Sequence, residues 1–288
     1  MGITQRLQLK FVWWWVAISF VTVVAAGADR EAPEVQWPRI IGGEEAGAGE
    51  FPWIVALAYK QSGPVNSSYC GGALIAPDWV ITAAHCVRGR SPSSLEAIIG
   101  RQLLKSEEEG ERRAILQIID HPDFNTDDKG SDIALLRLES ESQTETLNYS
   151  TAEVDPAVEG VLATVIGWGR TSPTVAGYPD TLQKVEVPVV SNEVCNGESA
   201  YNGAVSEAML CAGLEEGGKD ACTGDSGGPL VVPVEGAWHL AGITSWGEGC
   251  AEPNKYGVYT RVFAFRSWIE ESMLLPAPNR NPVADAGR

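Results

Sequence analysis

The apolar residues of this chain come in short runs. WIVALAY, GALIAP, WVITAAHC, AILQIID, IALLRL, ATVIGWG, KVEVPVV, PLVVPV, HLAGITSW and GVYTRV follow one another, separated by segments rich in Gly, Pro, Asn and Asp. A core helix needs roughly 10–12 residues of helical periodicity. Runs shorter than that, bounded by turn residues, suit strands, so the chain reads as an antiparallel barrel or sandwich. No segment repeats at a fixed period. One late stretch breaks the pattern: in FAFRSWIEESML, with Val262 just before it, Phe265, Trp268, Ile269 and Leu275 recur at spacings near three and four. That predicts a C-terminal helix laying an apolar stripe on the sheets. At 288 residues the chain is long enough for one large or two ordinary domains.

Residues 1–28 differ from the rest. MGITQRLQLK carries Arg6 and Lys10, residues 11–28 (FVWWWVAISFVTVVAAGA) carry no charge, and Ala26-Gly27-Ala28 fits a small-x-small cleavage site. This reads as a secretory signal peptide, which makes the protein secreted. The alternative is an N-terminal membrane anchor, since about 18 apolar residues is the lower limit for a span. The small residues at the end of the run favour cleavage and no stable membrane association. Residues 29–39 (DREAPEVQWPR) are polar and proline-broken, like a pro-segment, and residues 276–288 show no periodicity and are expected to be disordered. Asn66 and Asn148 begin N-x-S sequons.

Export implies an oxidising compartment, so the six cysteines (Cys70, Cys86, Cys195, Cys211, Cys222 and Cys250) read as structural disulfides. Six cysteines allow fifteen connectivities, and counting alone does not choose among them. None forms a CxxC, and zinc spacing is absent. A net charge of −17 argues against nucleic-acid partners, which need basic clusters.

Residues 219–230 read KDACTGDSGGPL, placing Ser226 beside Asp225, with Asp220 upstream. A serine hydroxyl is a weak nucleophile, and needs a base within hydrogen-bond reach that is itself oriented by an acceptor. The three histidines are His85 in WVITAAHC, at the end of an apolar strand, His121 in DHPDF and His239 in AWHLAG. Taken singly, each is more often a structural residue than a catalytic one. Asp132 leads the apolar run in SDIALLRL and would serve as the acceptor.

Taken together, IIGG after an arginine, CGGALIAPDWVITAAHC, DIALL, GWG, CAG, GDSGGP, SWG and GVYTRV resemble the trypsin-like serine proteases of the chymotrypsin family, in the family's order and across about residues 39–272. The pair TAAHC and GDSGGP is highly specific. The resemblance implies an all-β fold of two six-stranded antiparallel β-barrels with a C-terminal helix, in a protease domain over residues 40–275. It implies a monomer that hydrolyses proteins or peptides and is met by protein protease inhibitors.

By the same resemblance, Ser226 is the nucleophile, His85 the general base and then acid, and Asp132 the orienting carboxylate, with Ser245 supporting it. The backbone N–H groups of Gly224 and Ser226 form the oxyanion hole, such donors contributing roughly 3–4 kcal/mol each. Family topology pairs Cys70–Cys86, Cys195–Cys211 and Cys222–Cys250. It lacks further bridges of some vertebrate trypsins, which leaves the contact between lobes to packing. Asp225, otherwise a turn-former, would pair with the α-amino group of Ile40 once cleavage after Arg39 releases it, which makes the chain a zymogen. Asp220 stands at the base of the primary specificity pocket, with Gly247 and Gly257 keeping the walls open and Trp246 packing the preceding substrate residues. A carboxylate there calls for Arg or Lys at P1. Ala221 replaces a serine that helps hold lysine in many trypsins, so Arg is expected to lead Lys by more than in those enzymes. Arg39 fits this specificity, so self-activation is open to the chain.

No cofactor is required by such a mechanism. Tyr256, where digestive trypsins usually have proline, resembles sodium-responsive coagulation-type proteases and marks a candidate Na⁺ site. GRQLLKSEEEGER occupies the place of the family's calcium loop, but Arg101 stands where a carboxylate would be, which disfavours Ca²⁺.

Overall fold

The computed structural model describes Gly2 and residues 40–60, 68–127, 129–149, 155–172 and 177–278. The chain divides after residue 36, and the architecture below belongs to the second unit. The signal-peptide and pro-segment readings, Arg39, Asn66 and the tail beyond residue 278 lie outside the described residues.

In chain order the strands are β1 (Glu44–Glu45), β2 (Ile54–Tyr59), β3 (Ser68–Ala76), β4 (Trp79–Thr82), β5 (Leu95–Ile99), β6 (Glu111–Asp120), β7 (Ala134–Leu138), β8 (Asn148–Tyr149), β9 (Leu162–Gly167), β10 (Gln183–Val190), β11 (Met209–Ala212), β12 (Pro229–Val234), β13 (Ala237–Trp246) and β14 (Gly257–Arg261). Helices are few: α1 (Ala84–Val87), α2 (Asn192–Cys195) and α3 (Arg266–Met273). The first barrel closes in the order β2-β3-β4-β7-β6-β5. In the second, β10-β11-β14-β13-β12-β9 is closed by the pairing of β9 with β10, while β1 adds to β10 and β8 runs parallel to β13. Every barrel pairing is antiparallel, so the expected pair of six-stranded barrels is what the chain forms. Closure removes the sheet edges that strands of this apolarity would otherwise expose.

Strand β10 shows how the sequence specifies the inner face. In QKVEVPVV, Val185, Val187 and Val189 are buried while Lys184 and Glu186 are not, the period-two alternation of a half-buried strand. Val185 and Val187 pack in the second barrel's core with Ala163, Leu210, Leu230, Val232 and Tyr259. The six cysteines form Cys70–Cys86, Cys195–Cys211 and Cys222–Cys250, as the resemblance implied.

The C-terminal helix is shorter than its sequence period suggested. A 3₁₀ turn over Val262–Phe265 leads into α3, and the buried stripe is Val262, Phe265, Ile269 and Ser272. Leu275 is not part of it: the helix ends at Met273, Leu274 and Leu275 are exposed, and the Leu275 carbonyl accepts a hydrogen bond from Arg137 Nη1 at 3.1 Å. His121 meets Phe265 edge-on at 5.1 Å and Trp268 at 5.0 Å, so it packs between the first barrel and this helix. Burial pulls its pKa below the ordinary histidine value. His239 lies within β13 opposite Val232.

The lobes are not joined by packing alone, which corrects the expectation drawn from the missing bridges. Thr260 Oγ1 donates to the Asp132 carbonyl at 2.7 Å, Gly71 N to the Ser226 carbonyl at 2.7 Å, and Leu104 N to the Asp180 carbonyl at 2.7 Å. A buried seam between two barrels must satisfy its backbone polar groups, and hydrogen bonds across it do so without a covalent staple.

Candidate active site

His85 is in α1, one turn beyond β4, rather than on the strand itself. Cys86, beside it, is tied to β3 through Cys70, which fixes this isolated turn. Asp132 lies just before β7 and is fully buried. Its two oxygens face the same turn: Oδ1 accepts from His85 N at 2.8 Å, and Oδ2 lies 2.7 Å from His85 Nδ1. Ser245, from β13 of the other barrel, donates to Oδ2 at 2.5 Å. The carboxylate thus accepts from three donors, which fixes the ring of His85 from behind, and Nε2 on the far side of the ring lies 3.6 Å from Cys86 Sγ. A carboxylate in this position holds the tautomer with the proton on Nδ1.

Ser226 and His85 line one cavity of about 670 Å³, which Gly224 also borders. Gly224 has φ +104°, and a Cβ there would lie 2.8 Å from the Tyr178 ring and 3.1 Å from Gly169 Cα. Crowding within the protein therefore requires glycine at 224, in addition to any room the substrate needs.

Asp220 is buried at 5% exposure, and its Oδ2 accepts from Ala251 N at 2.9 Å. Oδ1 is buried with no hydrogen-bond partner among the described residues. The carboxylate borders a cavity of about 220 Å³ lined also by Ala221, Ser226, Ser245, Trp246, Gly247 and Gly257. A Cβ on Gly257 would come within 2.8 Å of Asp220 Oδ1, so glycine alone leaves room for that oxygen. Burial raises the Asp220 pKa to about 7, against the pull of N–H groups of Ala251 and Ala221. A buried carboxylate that borders a cavity with one oxygen unpartnered calls for a counter-charge.

Asp225 is 1% exposed and both oxygens are held: Oδ1 accepts from Gly169 N at 2.7 Å and Oδ2 from Cys222 N at 2.9 Å. Burial lifts its pKa to about 6. The glycines of GWG, quoted above only as part of the resemblance, have a steric reason here. A Cβ on Gly167 or Gly169 would come within 2.2 Å of an Asp225 carboxylate oxygen. Their signal in the sequence was the spacing of the motif, while its cause lies in a residue far along the chain. Ile40 is fully buried in the second barrel's core, and the Ile41 carbonyl accepts from Asp220 N at 3.2 Å. The glycines after it are tight as well, a Cβ on Gly42 meeting the Gly218 carbonyl at 2.3 Å.

Two positions bear on ions. Arg101 is 1% exposed, with Nε donating to the Glu109 carbonyl and Nη1 to the Leu104 carbonyl, each at 3.0 Å. A guanidinium therefore serves the carbonyls of that loop. Tyr256 is buried, and its carbonyl accepts from Tyr201 Oη at 2.6 Å. Among the described residues, the one group of metal-ligand types with close ligand atoms is Cys70, His85 and Cys86, whose two sulfurs are joined in a disulfide.

Comparisons with known proteins agree with the architecture. The family model described as Trypsin matches residues 40–269. Transmembrane protease serine 5 from Homo sapiens is 40% identical over 247 residues, covering 81% of this chain and 51% of that relative, so the chain spans about half the relative's length. The match runs through both barrels and into α3, and on that ground the chain belongs to the trypsin family.

Proposed function

We propose that this chain is a serine endopeptidase, made as a zymogen, that cuts after Arg, and less well after Lys, through an acyl-enzyme formed on Ser226. His85 takes the Ser226 proton and delivers it to the leaving amine. Asp132 holds the imidazole and stabilises its protonated form. The N–H groups of Gly224 and Ser226 receive the oxyanion. What carries the specificity is the unpartnered Oδ1 of Asp220, buried in a cavity that Ser226 also lines. A guanidinium fills that vacancy with two hydrogen bonds, whereas an ammonium offers a point charge.

The burial of Ile40 and the enclosure of Asp225 support the activation reading. Cleavage after Arg39 would put an ammonium group at Ile40, giving the Asp225 carboxylate the counter-charge its burial calls for. The new amine would have its pKa raised above the unfolded value of about 8. Its stabilising contribution is therefore complete below that value and is lost as pH rises through the raised one. No cofactor enters these steps. Sodium near Tyr256 and a monomeric state belong to this reading as well, as does engagement by protein inhibitors.

A membrane-held form is the second reading, favoured by the name of the human relative. No helix among the described residues is long and apolar enough to cross a membrane, which leaves residues 11–28 as the segment in question. The N-terminal mass of the mature protein separates the two, since a start near Asp29 or Ile40 means release.

The test of the activation reading is Arg39→Gln, assayed on Arg-, Lys- and Phe-terminated peptide substrates beside Ser226→Ala. The uncut variant should be inactive and the Phe substrate refused by the cleaved wild type. Full activity of an uncleaved Arg39→Gln chain would sink the zymogen, and equal cleavage after Phe would sink the specificity.

A further inference from the structure

Three cavities converge on Ser226 and His85. The first ends at Asp220, and a second of about 390 Å³ is lined by His85, Phe124, Lys129, Ser245 and Trp246. If P1 enters the first and the residues before it pass along Trp246, the third cavity receives the residues after the scissile bond. Its volume is about 670 Å³.

This third cavity combines an apolar surface with two cations and, among the described residues, no carboxylate. Its apolar surface is the Cys70–Cys86 bridge, Leu104, Trp168 and Tyr178, and Arg90 and Lys105 also line the cavity. Arg90 is pinned: its guanidinium lies 5.1 Å from the Tyr59 ring centre and 5.9 Å from that of Tyr69, and these rings stack at 4.4 Å. Arg170 lies 5.9 Å from the Tyr178 ring centre but is not part of the lining. Neither Arg90 nor Lys105 forms an ion pair among the described residues. Asp180 is close, but it accepts from Lys105 N at 2.7 Å and is not part of the lining. Glu107 and Glu108 are not part of it either. Cations gathered at one cavity, in a chain of net charge −17, run against the bias of the composition.

We propose that this cavity selects acidic sequence after the scissile bond: an apolar residue at P2′ on the apolar surface, with Asp or Glu at P1′ or P3′ drawn to Arg90 and Lys105. An extended peptide alternates its side chains, so P2′ faces one way and its two neighbours the other. The proposal rests on the placement of P1 against Asp220. One consequence concerns the chain's own activation bond, where Ile40-Ile41-Gly42 follows Arg39 with no carboxylate. That bond gains nothing from the cationic cavity.

The test uses quenched peptides with Arg at P1 followed by Asp-Leu-Glu, Asn-Leu-Gln or Lys-Leu-Lys, beside an Arg methyl ester that carries no residue after the bond. In the activated enzyme, kcat/KM should fall in that order, acid over amide by about fivefold or more at low salt and less as ionic strength rises. The double variant Arg90→Glu, Lys105→Glu should reverse the order, while its cleavage of the ester reports an intact fold. Equal rates on the three peptides overturn the proposal, as does an acid preference that survives the double variant. With the ester still cleaved, the P1 reading stands in either case. Loss of the ester in the wild type would instead overturn the P1 reading itself.

Discussion

Asp220 and Asp225 are five residues apart in one loop, both are nearly inaccessible, and burial lifts both pKa values, yet their surroundings are opposite. Asp225 has a backbone N–H on each oxygen, and two glycines are shaped to its carboxylate. Asp220 has one oxygen satisfied and the other bare beside a cavity. Burial alone does not distinguish a structural carboxylate from a receptor. The distinction lies in how many lone pairs the fold leaves open, because each open one is a standing cost that a ligand can remove. Asp225 is enclosed on all sides, so whatever pairs with it must come from the chain itself. Asp220 borders a cavity that Ser226 also lines, and on the proposed reading its partner enters there from outside.

The sharpest way to break this comparison is to neutralise the open member. Asp220→Asn leaves the shape nearly unchanged but removes the charge that answers a P1 cation. Breaking a buried charge pair by removing one partner costs about 3–5 kcal/mol. kcat/KM on an Arg substrate should fall by roughly two to four orders of magnitude. Folding stability should hold or rise, since the free protein loses an uncompensated buried charge. Activity on Arg substrates within a few-fold of wild type would show that Asp220 is no receptor.

A smaller effect follows from protonation of the same group. Burial raises its folded pKa to about 7 from the ordinary aspartate value of about 3.8, so the folded protein binds more protons than the unfolded chain between those values. The contribution to stability therefore declines as pH rises from about 4 to 7 and is level above that. Cation binding runs the other way, because only the ionised carboxylate receives it. Direct titration with a benzamidinium probe, which avoids the turnover role of His85, should show affinity constant above about pH 7 and weakening towards tenfold per unit well below it. Asp220→Asn should abolish the slope. A wild-type affinity that is flat from pH 5 to 8 would mean that the carboxylate is ionised throughout and that its burial is compensated by groups not seen here.

How much of this was legible beforehand differs by the range of the interaction. The strands were readable, because alternation in KVEVPVV and short runs between turn residues are local signals. Which strand pairs with which was not, since closure of β9 on β10 depends on contacts that no local pattern encodes. Motif order supplied the disulfides and the meeting of His85 with Asp132, neither of which follows from counting cysteines or histidines. What stayed hidden were fits between distant residues: Gly167 and Gly169 sized by Asp225, and Gly224 crowded by Tyr178. So did the hydrogen bond between lobes from Thr260 to the Asp132 carbonyl, whereas the support of Asp132 by Ser245 was implied by the resemblance. Leu275 misled because its spacing continued a helical stripe past the residue where the helix stops.

The finest test of the open carboxylate changes its neighbour. Ala221 is buried at the wall of the Asp220 cavity, and its methyl offers no hydrogen bond to a substrate ammonium. On the proposed reading arginine meets the carboxylate with its own planar fork, while lysine has three donors and, on this wall, one charged acceptor group. Ala221→Ser adds an acceptor beside that carboxylate. One neutral hydrogen bond contributes about 1 kcal/mol net, so kcat/KM on a Lys substrate should rise by roughly fivefold. The Arg substrate should change by less than about twofold, since its donors are already engaged. A Lys-to-Arg ratio that the serine leaves unmoved would mean that lysine does not approach Ala221, and that discrimination between the two cations is made by Asp220 alone.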